Sequence, residues 1–156
     1  MALSLVRGDV FTVESDAYLA QFLREAATKH ETQSARFTCV VPRVDVIKGW
    51  GRPAALNDAD RSRFGESYAR AGADSCTPDL VLVDGRFRVA CALLVAKSTT
   101  RRVTIAIDDY ANRPGYHAVE RFLGRPVLHG RLGVFRLAGA IDVPDSVLQE
   151  YFGVSD

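Results

Sequence analysis

Two apolar runs that end in acid constrain this chain more than any other feature. They are Asp79-Leu80-Val81-Leu82-Val83-Asp84-Gly85 and Val103-Thr104-Ile105-Ala106-Ile107-Asp108-Asp109-Tyr110. Four to six apolar residues rich in Val and Ile suit a parallel strand covered by helices on both faces. A third run, Val10-Phe11-Thr12-Val13-Glu14, has the same form and leads through Ser15-Asp16 into a helical stretch. In open α/β sheets, ligands bind outside the carboxyl ends of the strands. The pattern therefore predicts one sheet edge carrying Glu14, Asp84, Asp108 and Asp109. No glycine-rich phosphate loop precedes Glu14.

The rest of the chain fits between these strands. Ser15 is the expected cap of a helix whose apolar face carries Tyr18, Leu19, Phe22, Leu23 and Ala26, closed by Lys29 and His30. Phe37 to Val41 reads as a second strand stopped by Pro42. Gly49 to Pro53 reads as a loop, and Asn57 or Asp58 as the cap of a helix bearing Phe64 and Tyr68 that Gly72 ends. Arg88 to Ala96 is apolar nearly all round, as a buried helix would be. After Asn112-Arg113-Pro114-Gly115 comes a helix with Tyr116, Val119, Phe122 and Leu123 on one side. Val127 to Leu137 predicts a hairpin turning near His129-Gly130-Arg131, and Pro144 starts a last helix that buries Val147, Leu148, Tyr151 and Phe152. Strands alternating with helices predict one α/β domain over residues 1–156, with a mostly parallel sheet and a C-terminal antiparallel hairpin.

Composition narrows the function classes. Twenty basic against nineteen acidic residues leave a charge of +1, so nucleic-acid binding through bulk charge is not expected. No apolar window approaches a membrane span, and Met1 to Gly8 is too short for a secretory leader. Cys39, Cys76 and Cys91 are odd in number and lack CxxC spacing, which suits a reducing cytoplasm. Ser62, Ser67 and Ser75 have no nucleophile-elbow context. His117 reads as a capping or solvated residue rather than a base, and His30 and His129 as helix-end and turn residues. Trp50, between two glycines, reads either as a loop anchor or as an aromatic over a substrate.

The series Val13-Glu14-Ser15-Asp16, Leu82-Val83-Asp84-Gly85-Arg86-Phe87-Arg88 and Asp108-Asp109-Tyr110 resembles class I S-adenosylmethionine-dependent methyltransferases. Within them it is most similar to a bacterial methyltransferase-like group with VDGRFR and DDY segments. The resemblance runs from about Gly8 to Leu137 and implies a Rossmann-like sheet. It implies that Glu14 holds the cofactor ribose, that Asp45 lies near the adenine, and that Asp84 sits beside the methionine part or a small-molecule or saccharide acceptor. Asp84 and Asp109 become candidate catalytic groups for methyl transfer to oxygen or nitrogen. Metal-dependent relatives place a divalent cation at these later strand ends, which would assign it to Asp84, Asp108 and Asp109. They also carry a catalytic lysine where this chain has Arg86 and Arg88, and arginine does not serve as a base at neutral pH.

In the family a strand and a glycine-rich turn precede the Glu14 strand, and that first strand lies between the Glu14 and Asp84 strands. Thirteen residues before Glu14 are too few for that βαβ unit. The expectation is a fold lacking its first strand and glycine loop, with the Glu14 and Asp84 strands pairing directly and the cofactor bound weakly or not at all. Local readings stand beside the functional ones. Glu14 and Asp16 also suit an acidic helix start, Asp84-Gly85 a turn or cap, and Asp108-Asp109 acceptors for local backbone N–H groups. Two other functions remain open: a non-catalytic binding or assembly module, and a nucleotide-sugar-binding enzyme on the same sheet.

Overall fold

A computed structural model describes residues 8–28, 37–41, 57–74 and 76–155, and the backbone of 47–48 and 52–53. Strand β1 (Val10–Val13) leads into helix α1 (Ala17–Thr28), and β2 (Phe37–Val40) returns parallel to β1, Val10 opposite Phe37. The cap of α1 is Asp16 rather than the expected Ser15: its Oδ1 accepts the N–H groups of Tyr18 at 2.9 Å and Leu19 at 3.1 Å. A carboxylate there satisfies two orphan donors and faces the positive end of the helix dipole. Short strands β3 (Ile47–Lys48) and β4 (Arg52–Pro53) pair antiparallel where a plain loop was expected.

Helix α2 (Asp58–Ala73) begins at Asn57, whose side chain accepts from the Asp60 N–H. Next come β5 (Leu80–Val83), α3 (Arg88–Ser98) and β6 (Val103–Ile107), a βαβ unit in which β5 and β6 run parallel. Two 3₁₀ turns, Tyr110–Asn112 and Pro114–Val119, and a single turn of α-helix, α4 (Glu120–Leu123), take the place of the one helix expected there. The hairpin β7 (Val127–His129) and β8 (Leu132–Leu137) turns at Gly130, and α5 (Asp145–Phe152) completes the described chain.

The strands form a four-stranded sheet in the order β5-β6-β8-β7 and a separate pair β1-β2. Among the described residues parallel pairing is confined to β1–β2 and β5–β6, while β8 joins β6 and β7 antiparallel, so the four-stranded sheet is mixed where a mostly parallel one was expected. The expected pairing of the Glu14 strand with the Asp84 strand is not formed. Helix α2 touches both instead. A Cβ on Gly72 would lie 3.3 Å from Cγ2 of Val13, and the Tyr68 hydroxyl lies against Gly85. These two positions are one helical turn apart, about 6 Å along the axis, so α2 spans from one strand to the other.

Burial follows position in the sheet. Strand β6, flanked by β5 and β8, buries Val103, Ile105, Ala106 and Ile107. Strand β5 was expected to be covered on both faces, yet Leu80 and Leu82 are 66% and 63% exposed. Their face has no helix against it among the described residues. The expected apolar face of α1 is likewise outward: Tyr18, Leu19 and Phe22 are exposed, while Ala20 and Ala27 are buried. Helix α3 matches expectation, burying Val89, Ala90, Ala92, Leu93, Leu94 and Ala96.

Helix α2 packs closely on α5 through Gly65. A Cβ there would stand 2.0 Å from the carbonyl oxygen of Phe152 and 2.8 Å from Cδ1 of Phe87. A backbone carbonyl cannot swing aside as a side chain can, so α5 must move. Gly65→Ala is expected to cost about 1–3 kcal/mol, the usual range for overpacking, despite alanine's better helix propensity. Urea unfolding checks this; an equal or higher midpoint would show that the α2–α5 contact is looser than described.

Candidate functional site

The carboxyl ends of β5 and β6 are joined by one side chain. Arg88, the first residue of α3, has a side chain only 10% exposed. Its Nε donates to the Gly85 carbonyl at 3.0 Å and Nη1 to the Asp108 carbonyl at 2.6 Å. The same guanidinium lies 3.4 Å from an Asp84 oxygen, 3.6 Å from an Asp109 oxygen and 5.3 Å from the centroid of the Tyr116 ring. A planar fork of five donors suits this convergence of carbonyls and carboxylates in a way an ammonium would not.

Arg131, in the β7–β8 turn, closes the cluster from the other side. It donates to Asp108 Oδ2 at 2.8 Å and lies 3.2 Å from Asp109 Oδ1, and its carbonyl accepts the Ala111 N–H at 3.2 Å. Asp109 has φ +57° and Phe87, just before Arg88, has φ +53°. Non-glycine residues in the left-handed region cost of order 1–3 kcal/mol and persist where their surroundings hold them. Phe87 is held by complete burial, its ring 5.4 Å from Phe64 and 6.1 Å from Tyr68. Asp109 is held between the two guanidiniums.

Asp84 and Asp108 hydrogen-bond to each other, and their acidities move in opposite directions. Burial raises the pKa of Asp84; Arg88 opposes the rise, and the charges of Asp108 and Asp109 add to it. Burial also pushes Asp108 up, but the Asp109 N–H, Arg131 and the Asp84 hydrogen bond outweigh it and leave its pKa lowered. Two acids at adjacent strand ends are thus differentiated, one inclined to keep a proton and one to lose it.

Glu14 lies beyond this cluster at the end of β1. Its N–H donates to the Val40 carbonyl, and its Oε1 accepts the Asp16 N–H at 2.8 Å, the local role of an acidic helix start. Its charge also reaches Tyr68, whose hydroxyl accepts the Arg86 backbone N–H. Burial first, then the nearby thiol of Cys91 and Glu14, pushes the Tyr68 pKa up, so the phenol stays protonated. The Tyr68 hydroxyl itself lies against Gly85, the residue after Asp84.

The structure therefore brings together Asp84, Asp108 and Asp109, while Glu14 stands at the end of β1, in the separate pair of strands. Asp45 lies outside the described residues, as do His30 and Trp50. His117 Nε2 is 3.1 Å from the Tyr110 carbonyl and its ring packs on that of Tyr110 at 4.7 Å, which matches the capping role. The three acids do not suit the expected divalent cation. Asp84 faces Arg88, Asp108 faces Arg131, and Asp109 faces both. Among the described residues no group of three or more His, Cys, Asp or Glu side chains is placed to hold a metal ion.

Sequence reasoning missed the roles of Arg88, Arg131 and Tyr68. For Arg88 the signal was its spacing, four residues after Asp84 at the start of an apolar helix. For Tyr68 it was the glycine after Asp84: a Cβ at position 85 would lie 2.2 Å from the Tyr68 hydroxyl oxygen. Arg131 carried no local signal, because its partners are more than twenty residues away.

The chain matches no protein-family model and no curated protein sequence. Among solved structures it is similar to the crystal structure of a methyltransferase-like protein from Silicibacter pomeroyi. The two are 35% identical with a TM-score of 0.80, over 95% of this chain and 77% of that one. The chain belongs to this methyltransferase-like family. No helix among the described residues is long and apolar enough to cross a membrane.

Two measurements test the cluster. Arg88→Met leaves the Gly85 and Asp108 carbonyls and Asp109 without their guanidinium. It is expected to cost about 3–5 kcal/mol, as removal of one partner from a buried pair does. A loss under about 1 kcal/mol in chemical unfolding would show that Arg88 is not the joint between the strands. The second test uses pH. A raised folded-state pKa at Asp84 means its protonated form stabilises the fold, a contribution present below the unfolded value near 3.9 and lost as pH rises through the raised one. Asp84→Asn mimics the protonated form. Its melting temperature relative to the parent chain is expected to be more favourable at pH 7 than at pH 3.5, and a difference that does not change with pH would contradict the raised value.

Proposed function

We propose that this chain is an S-adenosylmethionine-dependent methyltransferase-like protein. Glu14 receives the ribose hydroxyls of the cofactor, and Asp84 faces an acceptor oxygen or nitrogen on a small molecule or saccharide. What supports this reading is that Glu14 and Asp84 each follow the last residue of a strand, β1 and β5, and that helix α2 touches both strands. The carboxyl ends of strands are where open α/β sheets take ligands. Glu14 has one oxygen engaged by the Asp16 N–H, which leaves the other to accept from a hydroxyl.

The cofactor supplies an activated methyl group on a sulfonium. The residues of the chain would align the acceptor and take its proton. Asp84, whose side chain is 57% exposed, is the acid open to an acceptor, and its raised pKa makes it a better base than an ordinary carboxylate. Asp109, between two guanidiniums, positions Arg88 rather than touching the acceptor.

Binding is expected to be weak. Between Glu14 and Gly85 the described residues offer carboxylates and one phenol, with no row of backbone donors for the rest of the ligand. Titration of S-adenosylmethionine followed by amide NMR is expected to give a dissociation constant of about 0.1–1 mM, roughly −4 to −5.5 kcal/mol. The shifts should centre on Glu14, Tyr68 and Gly85, and Glu14→Ala should weaken binding further. Saturation with unchanged affinity in Glu14→Ala would place the ligand elsewhere.

The second reading is a non-catalytic relative that serves as a binding or assembly module. The exposed apolar residues Phe11, Tyr18, Phe22, Leu80 and Leu82 favour it, because apolar surface on a soluble protein commonly marks contact with another molecule. No shifts at the strand ends with millimolar cofactor would favour this module over the enzyme.

A further inference from the structure

Among the described residues the four-stranded sheet is covered on one face only. Val103, Ile105 and Ile107 of β6 lie opposite Leu137, Phe135 and Gly133 of β8, and their side chains enter the core with those of α3. The alternate residues point the other way. Register aligns Leu82 with Ala106, Ala106 with Val134 and Val134 with Val127, an apolar row across all four strands. Leu80, Thr104 and Arg136 make the next row. A sheet face open to water is ordinarily polar, yet Leu80, Leu82 and Val127 are each more than half exposed.

Helix α1 belongs to this open side. Val13 of β1 faces α2, and α2 packs along α3 and α5 on the core side of the sheet. Cys39 of β2, paired with Thr12, points the opposite way. Helix α1 packs on β2 from there: Cys39, Ala20 and Ala27 are all buried, and none belongs to the main core. The outer stripe of α1 is apolar too, with Tyr18 88% exposed and Phe22 63%, and Leu19 beside them. Glu25, almost one turn past Phe22, continues the stripe.

We propose that a second copy of this chain covers both surfaces, α1 of each copy lying across the open sheet face of the other. Such a contact is made twice about a two-fold axis and closes, leaving neither surface over. The dimensions agree. Helix α1 has 12 residues, about 18 Å at the usual rise, and four strands at normal spacing span about 14 Å. Tyr18, Leu19, Phe22, Leu80, Leu82 and Val127 leave on the order of 600 Å² in water, most of the roughly 800 Å² per partner of a standard interface. Charge agrees as well. Glu25 lies on the helix stripe, and exposed Arg136 on the sheet face has no ion pair among the described residues.

Sedimentation equilibrium of the full chain tests this. Mass is expected to rise with concentration from 17.1 kDa to twice that value, with a dissociation constant on the order of 10 µM, weak for this area. Phe22→Glu and Leu82→Glu lie on opposite sides of the contact, and each should weaken dimerisation at least about tenfold. Both residues are exposed in the single chain, so melting of the dilute protein should not change. Glu25→Arg and Arg136→Glu should each weaken the dimer about three- to tenfold, and the double variant should recover it. The charge pair decides the outcome if either glutamate variant fails to fold. A monomer mass at every concentration overturns the proposal, as does a mass that climbs beyond two chains. A dimer indifferent to Phe22→Glu or to Leu82→Glu overturns it too, and so does a double charge variant that self-associates no more tightly than the singles.

Discussion

The guanidinium of Arg88 is the interaction on which the rest of the site depends. It binds a carbonyl from the turn after β5 and a carbonyl from the end of β6, so it joins two strand ends that the sheet ladder no longer reaches. Both carbonyls would otherwise be backbone acceptors in a half-buried place, where an unmet group costs about 1–3 kcal/mol. Once Arg88 is there, the acids around it follow. A cation this enclosed needs carboxylates nearby, and Asp84 and Asp109 provide them from either side. Arg131 then takes up the charge of Asp108 and the remaining oxygen of Asp109, and ties the hairpin turn to the strand ends.

The loop carrying this joint is strained and still well determined. Phe87 takes a left-handed conformation so that its ring enters the core while the next residue, Arg88, turns back over the strand ends. Burial of an aromatic ring contributes about 1.5–3 kcal/mol, comparable to the backbone cost. The ring in turn seats Tyr68. Backbone conformation at Phe87, the position of Arg88 and the aim of the Tyr68 hydroxyl are consequences of one packing arrangement, and a change at any of them is expected to be felt at the others.

How much of this was legible in the sequence depends on how far apart the interacting residues lie. The strands ending in Glu14, Asp84 and Asp108, the buried helix after Asp84 and the hairpin at Gly130 were all visible, because hydrophobic period and turn residues are local signals. The meeting of Asp84, Asp108 and Asp109 was visible too, since adjacent parallel strands put their carboxyl ends side by side. Their partners were not. Arg131 reaches Asp108 only through the β6–β8 pairing, and no pattern within twenty residues announces it. The exposure of Tyr18, Phe22, Leu80 and Leu82 was misread for a related reason. Periodicity tells which residues share a face, and the neighbours of that face belong to tertiary structure.

The same charges that defeat the cation expectation sharpen the alternative. Three carboxylates at adjacent strand ends read as a site for a hard cation only while they are considered without the arginines. With two guanidiniums among them, Asp108 and Asp109 are neutralised from within the chain. Asp84 shares Arg88 as well, yet its side chain stays 57% exposed, against 14% for Asp108 and 26% for Asp109. With its carboxylates paired to guanidiniums, this cluster offers a hard cation little uncompensated charge. Asp84, the most exposed of the three acids, is the member of the cluster with surface left for another molecule.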